Sequence, residues 1–216
     1  MDSNFDKEQQ MSFLSAFFYD RFMNTVEKAC LMEWRHELLK QATGEVLEVG
    51  AGTGANIKFY PETVTKLTLT EPDLHMRQLL QKNTRQSQLK DIHISDGSAE
   101  SIDADDESFD FVVTALVCCS FANLETALLE IRRVLKPDGS LLFMEHVAAH
   151  AGSGRRRWQN LINPVWRKLM GNCHLNREIE TAMVTAGFKI NQIKRENMYT
   201  VIAPLLPTIR GLARKI

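Results

Sequence analysis

Cysteine is scarce, and none of it is placed as a metal motif or a disulfide framework. Cys30, Cys118, Cys119 and Cys173 form no C-x-x-C pair. That spacing fits neither a zinc site nor a secreted scaffold, so no bound metal and a reducing compartment are expected. An excess of one charge is missing as well: 26 Lys and Arg stand against 27 Asp and Glu, a net of -1. Such a balance excludes a global electrostatic attraction to nucleic acid. Long apolar runs are also lacking. The longest, Phe109 to Ala122, is interrupted by Asp110, Thr114 and Ser120, too short and too polar to span a bilayer. Met1 to Gln10 is polar and partly acidic, unlike a signal peptide. Neither repeats nor low-complexity tracts occur.

The composition is otherwise that of an ordinary globular protein, 44% hydrophobic and 25% charged over 216 residues, the size of one domain. A chain of this length buries about 70% of its unfolded surface and needs no staples. Ser12 to Lys40 reads as helical, with Leu14, Phe17, Phe18, Phe22 and Val26 in one apolar stripe. Short β-rich runs come next at Glu45–Val49, Lys66–Thr70 and Ile92–Ile94, and a strongly apolar one at Phe109–Leu116. A helix is expected over Asp73–Gln86, capped by Asp73, and another over Asn123–Lys136. Pro137-Asp138-Gly139 turns the chain into a strand over Ser140–Val147. Strand and helix alternate from 45 to 147, which predicts a doubly wound α/β sheet. Beyond it, Gly152-Ser153-Gly154 reads as a break before Arg155-Arg156-Arg157, a solvated face or a contact for anionic lipid or acidic substrate. Arg177–Ala186 reads as a helix, and Phe188–Ile193 and Met198–Ala203 as late strands. Pro204 and Pro207 exclude the stretch after them from a central strand.

The chemistry-bearing feature is Glu48-Val49-Gly50-Ala51-Gly52-Thr53-Gly54, which ends a strand and leads toward a helix. Nucleotides bind at such strand ends, where glycines let the backbone approach a ligand. The spacing is not G-x-G-x-x-G, and no Gly-Lys-Ser/Thr is present, so a phosphate cradle is not expected. An acid just before the glycines repels pyrophosphate but suits an ammonium or sulfonium. Glu71 ends the next strand, where a carboxylate can accept from both hydroxyls of a ribose.

Together these residues resemble the class I S-adenosylmethionine-dependent methyltransferases. The resemblance implies a Rossmann-like, mostly parallel seven-stranded sheet, with an N-terminal helical cap over 1–40 and the methyltransferase domain over 41–216. It implies that Glu48, Gly50, Ala51 and Gly52 hold the methionine part of S-adenosylmethionine and that Glu71 holds the ribose. Gly97-Ser98-Ala99-Glu100 resembles the adenine segment, with Ser98 where many members have Asp and the Ala99 N–H facing the ring. Ala115 and Leu116 would flank the cofactor. Val49–Asn56, Lys58-Phe59-Tyr60-Pro61, Phe143–Ala149, Trp158, Pro164-Val165-Trp166 and Leu175-Asn176-Arg177-Glu178 resemble the thiol S-methyltransferase-like family. That family is membrane-associated in animals, but the hydrophobic anchor of its animal members has no counterpart here. The expected setting is therefore the cytoplasm, with peripheral membrane contact weaker than in those members and no obligate protein partner.

Methyl transfer needs an aligned nucleophile and a place for its proton, and a thiol needs only modest help. His146, ending the fifth strand, is the candidate base or substrate-orienting group; the alternative is a histidine that only bonds a loop. Glu145 divides the same way or points to the other face. Tyr19 is the candidate residue of the N-terminal helix for lining the methyl pocket, as in related enzymes, or it simply packs. Nothing in the sequence orients Cys173-His174, and Cys118 and Cys119 read as small core residues. The expected substrate is a small molecule, first a thiol, otherwise a quinone, phospholipid or amine; a non-catalytic cofactor-binding module is the rival. Nucleic-acid methylation would want an Asn/Asp-Pro-Pro-aromatic clamp where the chain has Ala115-Leu116-Val117-Cys118.

Overall fold

The computed structural model describes residues 27–199 and 207–216. The stripe from Leu14 to Val26, and Tyr19 with it, lies outside the described residues, as does most of the expected cap. A π-helical turn, Glu27–Leu31, leads into α1, Met32–Leu39. Then come β1 (Gly44–Val49), β2 (Val64–Thr70), α2 (Leu74–Thr84), β3 (Ile92–Ser95), β4 (Phe109–Ala115), α3 (Leu124–Val134) and β5 (Leu135–His146). The chain finishes with α4 (Gly154–Leu169), α5 (Ile179–Thr185), β6 (Phe188–Asn197) and β7 (Pro207–Lys215). One seven-stranded sheet has the order β3-β2-β1-β4-β5-β7-β6. β7 runs antiparallel to both of its neighbours, and the other pairings are parallel.

The expected strands form because their apolar runs are buried on both faces by helices. Leu47 and Val112 pack with Ala127, Leu128 and Ile131 of α3 on one face. Val46 and Val113 pack with Leu38 and Leu39 of α1 on the other. Asp73 caps α2 as expected, its Oδ1 accepting from the Met76 N–H at 2.9 Å. Asn123 caps α3 in the same way through the Thr126 N–H at 3.1 Å. From β1 the chain winds to one side through β2 and β3, then returns to the other through β4 and β5. The crevice at this reversal, beyond the carboxyl ends of β1 and β4, is where such sheets take ligands.

Three expectations are corrected. The stretch after Pro207 is a central strand, β7, between β5 and β6. Proline is tolerated there because it is the strand's first residue, where no ladder donor is needed; its carbonyl accepts from the Val147 N–H at 2.8 Å. Met198 and Tyr199 carry no strand, because β6 starts at Phe188 and stops at Asn197; residues 200–206 lie outside the described residues. The break at Gly152–Gly154 is instead a helix start. Ser153 accepts from the Arg156 N–H at 3.1 Å, and Arg155-Arg156-Arg157 opens α4, which continues through Pro164.

Candidate active site

Gly50 and Gly52 both lie in the left-handed region, at φ 66° and 57°. The loop is tied to β2: Ala51 N–H donates to the Thr70 carbonyl at 2.9 Å, and Gly52 N–H to Glu71 Oε2 at 2.8 Å. The other carboxylate oxygen of Glu71 accepts from Asp73 N–H at 2.9 Å. Burial pushes the Glu71 carboxyl above the usual range, while those two N–H groups pull it back. Each oxygen keeps lone-pair capacity for a hydroxyl. A Cβ on Gly52 would meet nothing within 4 Å, so the loop faces open space, flanked by a buried acid. That is a cradle for a ribose-bearing cation, and the residues fit S-adenosylmethionine.

Two cavities flank this loop and share Gly50, Gly52, Leu116 and Val117. The first, about 780 Å³, contains Glu48, Ala51 and Ala115. Glu48 is buried, accepting from Asn56 Nδ2 at 2.8 Å and Tyr60 OH at 2.6 Å. Arg35 of α1 donates to Asn56 Oδ1 at 2.6 Å and pairs with Glu27 at 2.7 Å. Burial raises the Glu48 carboxyl, and the Tyr60 and Asn56 bonds oppose that rise. Sequence reasoning did not give Arg35, Asn56 and Tyr60 a role. Only the fold turns the latter two back onto Glu48.

The second cavity, about 680 Å³, holds Glu71, Ser98 and Ala99 at one end and Cys119, His146 and Cys173 at the other. Apart from Glu145, every expected cofactor or catalytic residue among the described ones therefore lines this double groove. Leu116, where β4 ends, has φ 59°, a conformation that costs a non-glycine residue about 1–3 kcal/mol and clusters at functional sites. It is held by its N–H to the Met144 carbonyl at 2.7 Å. Glu145 points to the opposite face from the cavity, Oε2 accepting from the N–H groups of Val117 and Cys118 at 3.0 and 3.2 Å. Burial pushes its carboxyl up to about 7. Its work is to shape the turn after β4.

His146 does more than bond a loop. Its Nε2 lies 3.3 Å from Cys173 Sγ, and its buried Nδ1 has no hydrogen-bond partner. Cys118 belongs to the core as expected, but Cys119 opens on the cavity. Cys173 is oriented after all, because its segment is stapled to the turn carrying Cys119. Arg177 donates to the Cys118 and Phe121 carbonyls at 2.5 and 2.6 Å, and His174 N–H to the Cys119 carbonyl at 2.8 Å. The Cys119 thiol, hydrogen-bonded to Cys173, holds Cys173 below the usual thiol range and is itself raised.

Glu71→Ala should weaken cofactor affinity about 10–100-fold, since charge-assisted hydrogen bonds to a diol contribute about 1.5–3 kcal/mol. Calorimetry on the folded variant checks this, and unchanged affinity would move the ribose elsewhere. The raised carboxyl adds a sign: protonation begins at higher pH than for an exposed Glu, so affinity falls sooner on acidification, and Glu71→Gln flattens that dependence.

The match to known proteins agrees with this geometry. Residues 47–143 match the family model described as a methyltransferase domain. The fold resembles the [4+2]-cyclase SpnF, with a TM-score of 0.67 and 19% identity, covering 83% of this chain and 79% of that one. That likeness speaks for the fold alone. Thiol S-methyltransferase TMT1A of Homo sapiens is 37% identical over 74% of this chain and 67% of its own. Its human relative TMT1B is 36% identical over 182 residues, covering 82% of this chain and 74% of its own length. With kinship of that extent, and a glycine loop and buried acid that fit the cofactor, the chain is an S-adenosylmethionine-dependent methyltransferase and belongs to the thiol S-methyltransferase family.

Proposed function

We propose that this methyltransferase acts on a small apolar thiol. The observation that carries the reading is the make-up of the second cavity. Its far end, away from Glu71, is lined by Cys119, His146, Trp166, Met170, Cys173 and Met198. That wall is apolar and sulfur-rich, suited to a soft, poorly hydrated nucleophile. The two relatives named as thiol S-methyltransferases support the same substrate class.

When bound, S-adenosylmethionine supplies an electrophilic methyl group on a sulfonium sulfur, which an acceptor sulfur takes by in-line displacement. The chain's residues do the rest. Glu71 and the Gly50–Gly52 backbone fix the cofactor's position, and Leu116 and Val117 form the wall between the two cavities. His146 is the acceptor-side residue. Its Nε2 is shared with Cys173, which favours orienting the acceptor over acting as a free base. Product-mass measurement with a panel of thiols, a quinone and a phospholipid amine tests the reading. Methylated thiol is expected; methylation of the quinone or lipid alone would overturn it.

A peripheral membrane setting is part of the same proposal. No helix among the described residues is long and apolar enough to cross a membrane. However, α4 exposes Trp158, Leu161, Val165 and Leu169 at 62%, 71%, 64% and 71% along one stripe. Exposed Arg155, Arg157 and Lys168 flank it. An apolar stripe with a basic border suits an anionic interface. Leu161→Glu with Leu169→Glu should lower sedimentation with anionic vesicles at least about 10-fold, because each buried leucine contributes about 1.5–3 kcal/mol. Equal sedimentation of both proteins would refute the contact.

A further inference from the structure

We propose that Cys119, His146 and Cys173 form a zinc-type metal site whose open fourth position takes the acceptor thiol as a thiolate. The inference rests on the thiol reading above and gives that reading its binding device. The three residues come from the turn after β4, the end of β5 and the segment after α4. Their ligand atoms all lie within 4.8 Å of one another. Tetrahedral zinc, with bonds of about 2.3 Å to sulfur and 2.0–2.1 Å to nitrogen, has ligand–ligand edges of about 3.5–3.8 Å. The 3.3 Å separation of His146 Nε2 and Cys173 Sγ is already near such an edge.

The donor set selects the ion. Two thiols and an imidazole suit borderline-soft zinc and not magnesium or calcium, which want oxygen. No carboxylate belongs to the cluster, since Glu145 turns to the Val117 and Cys118 amides. His146 is poorly satisfied as a structural residue: its polar partners are sulfurs, Cys173 Sγ at 3.3 Å from Nε2 and the Cys119 thiol, and its buried Nδ1 has no hydrogen-bond partner. Buried polar groups are rarely left so. Rigid support is in place, because Arg177 and the His174 amide staple the two sulfur-bearing segments together.

Placement decides the role. All three donors line the cavity that also holds Glu71, so the position they leave open faces the acceptor space. Three protein ligands with one open position is the pattern of catalytic zinc, whereas structural sites are closed by four. A thiol entering that position loses its S–H proton to solvent and forms a sulfur–metal bond, so a nucleophilic thiolate is held at neutral pH. The methylated product is a neutral thioether, a weaker ligand, and it leaves the position free. The expectation of no metal rested on spacing along the chain, and these donors meet only through the fold.

Cobalt(II) titration of the metal-stripped full chain, kept reduced by a phosphine, tests the site without relying on activity. One equivalent should produce thiolate-to-cobalt charge-transfer absorption and tetrahedral visible bands, and a small thiol should shift them. Cys119→Ser and Cys173→Ser should each lower charge-transfer intensity and weaken binding at least about 10-fold, and His146→Ala should alter the visible bands. Cys118→Ala should leave the spectrum unchanged, which separates loss of a ligand from disturbance of the turn. Binding of S-adenosylhomocysteine reports that each variant is folded. Absence of thiolate absorption, or a wild-type spectrum in both serine variants, would overturn the site. Full thiol methylation by metal-stripped protein would also overturn it while leaving the thiol reading intact. A cobalt spectrum that no thiol shifts would remove the acceptor-holding role.

Discussion

Gly52→Val should reduce cofactor affinity at least about 1,000-fold, a larger loss than Glu71→Ala, while the protein still folds. Position 52 faces open space, with nothing within 4 Å of a Cβ, so a side chain there displaces no protein atom. It enters instead the space where the two cavities meet at the loop. The cost to the fold is confined to a β-branched residue held at φ 57°, about 1–3 kcal/mol. The loss of binding is steric, because the backbone must come close to the ligand. Gly52→Ala separates the two effects: it keeps most of the strain but presents only a methyl, and should fall between wild type and Val. Calorimetry with S-adenosylhomocysteine, alongside thermal unfolding, reads both. A folded Gly52→Val protein with wild-type affinity would show that the loop is not the cradle.

The second large effect concerns stability. Gly211→Ala should destabilise the protein by about 3 kcal/mol or more, at or beyond the upper end of ordinary overpacking. Gly211 lies in β7, paired with Phe143 of β5 on one side and Ile193 of β6 on the other. The β6–β7 register slips between Ile190 and Gln192, and this irregularity drives the Gln192 carbonyl toward β7. A Cβ at 211 would stand 1.9 Å from that oxygen and 2.8 Å from its carbon. The obstacle is backbone, so no side-chain rotation relieves it. At about 2–4 °C per kcal/mol for a domain of this size, the melting temperature should drop by roughly 6–12 °C. A melting temperature within a degree of wild type would mean that the β6–β7 pairing opens without penalty.

The pairing of the glycine loop with Glu71 was legible because its determinants are local. A glycine loop after an apolar strand and an acid at the next strand's end lie about 20 residues apart, and the parallel pairing of β1 with β2 brings them together. Glu71 meets the Gly52 amide for that reason. Capping by Asp73 and Asn123 was equally readable, since an N-cap bonds its own first turn. Pro207 shows where a local rule misleads, because a strand's first residue escapes the restriction that bars proline from its interior.

By itself the sequence determined the alternation of strands and helices, the glycine loop after β1, the acid that ends the β2 segment and the family. These depend on periodicity, turn chemistry and neighbours along the chain. Tertiary structure alone decided which side chains face one another across the acceptor end. Cys119 and His146 meet because β4 and β5 are parallel neighbours, with Ala115 opposite Met144, so the carboxyl ends of both strands emerge on the same edge. Cys173 joins them because Arg177 and the His174 amide bind carbonyls of the turn after β4. Arg35 likewise reaches Glu48 only through Asn56. Each of these contacts links segments far apart in the chain, and no spacing rule encodes a meeting that packing and backbone hydrogen bonds arrange.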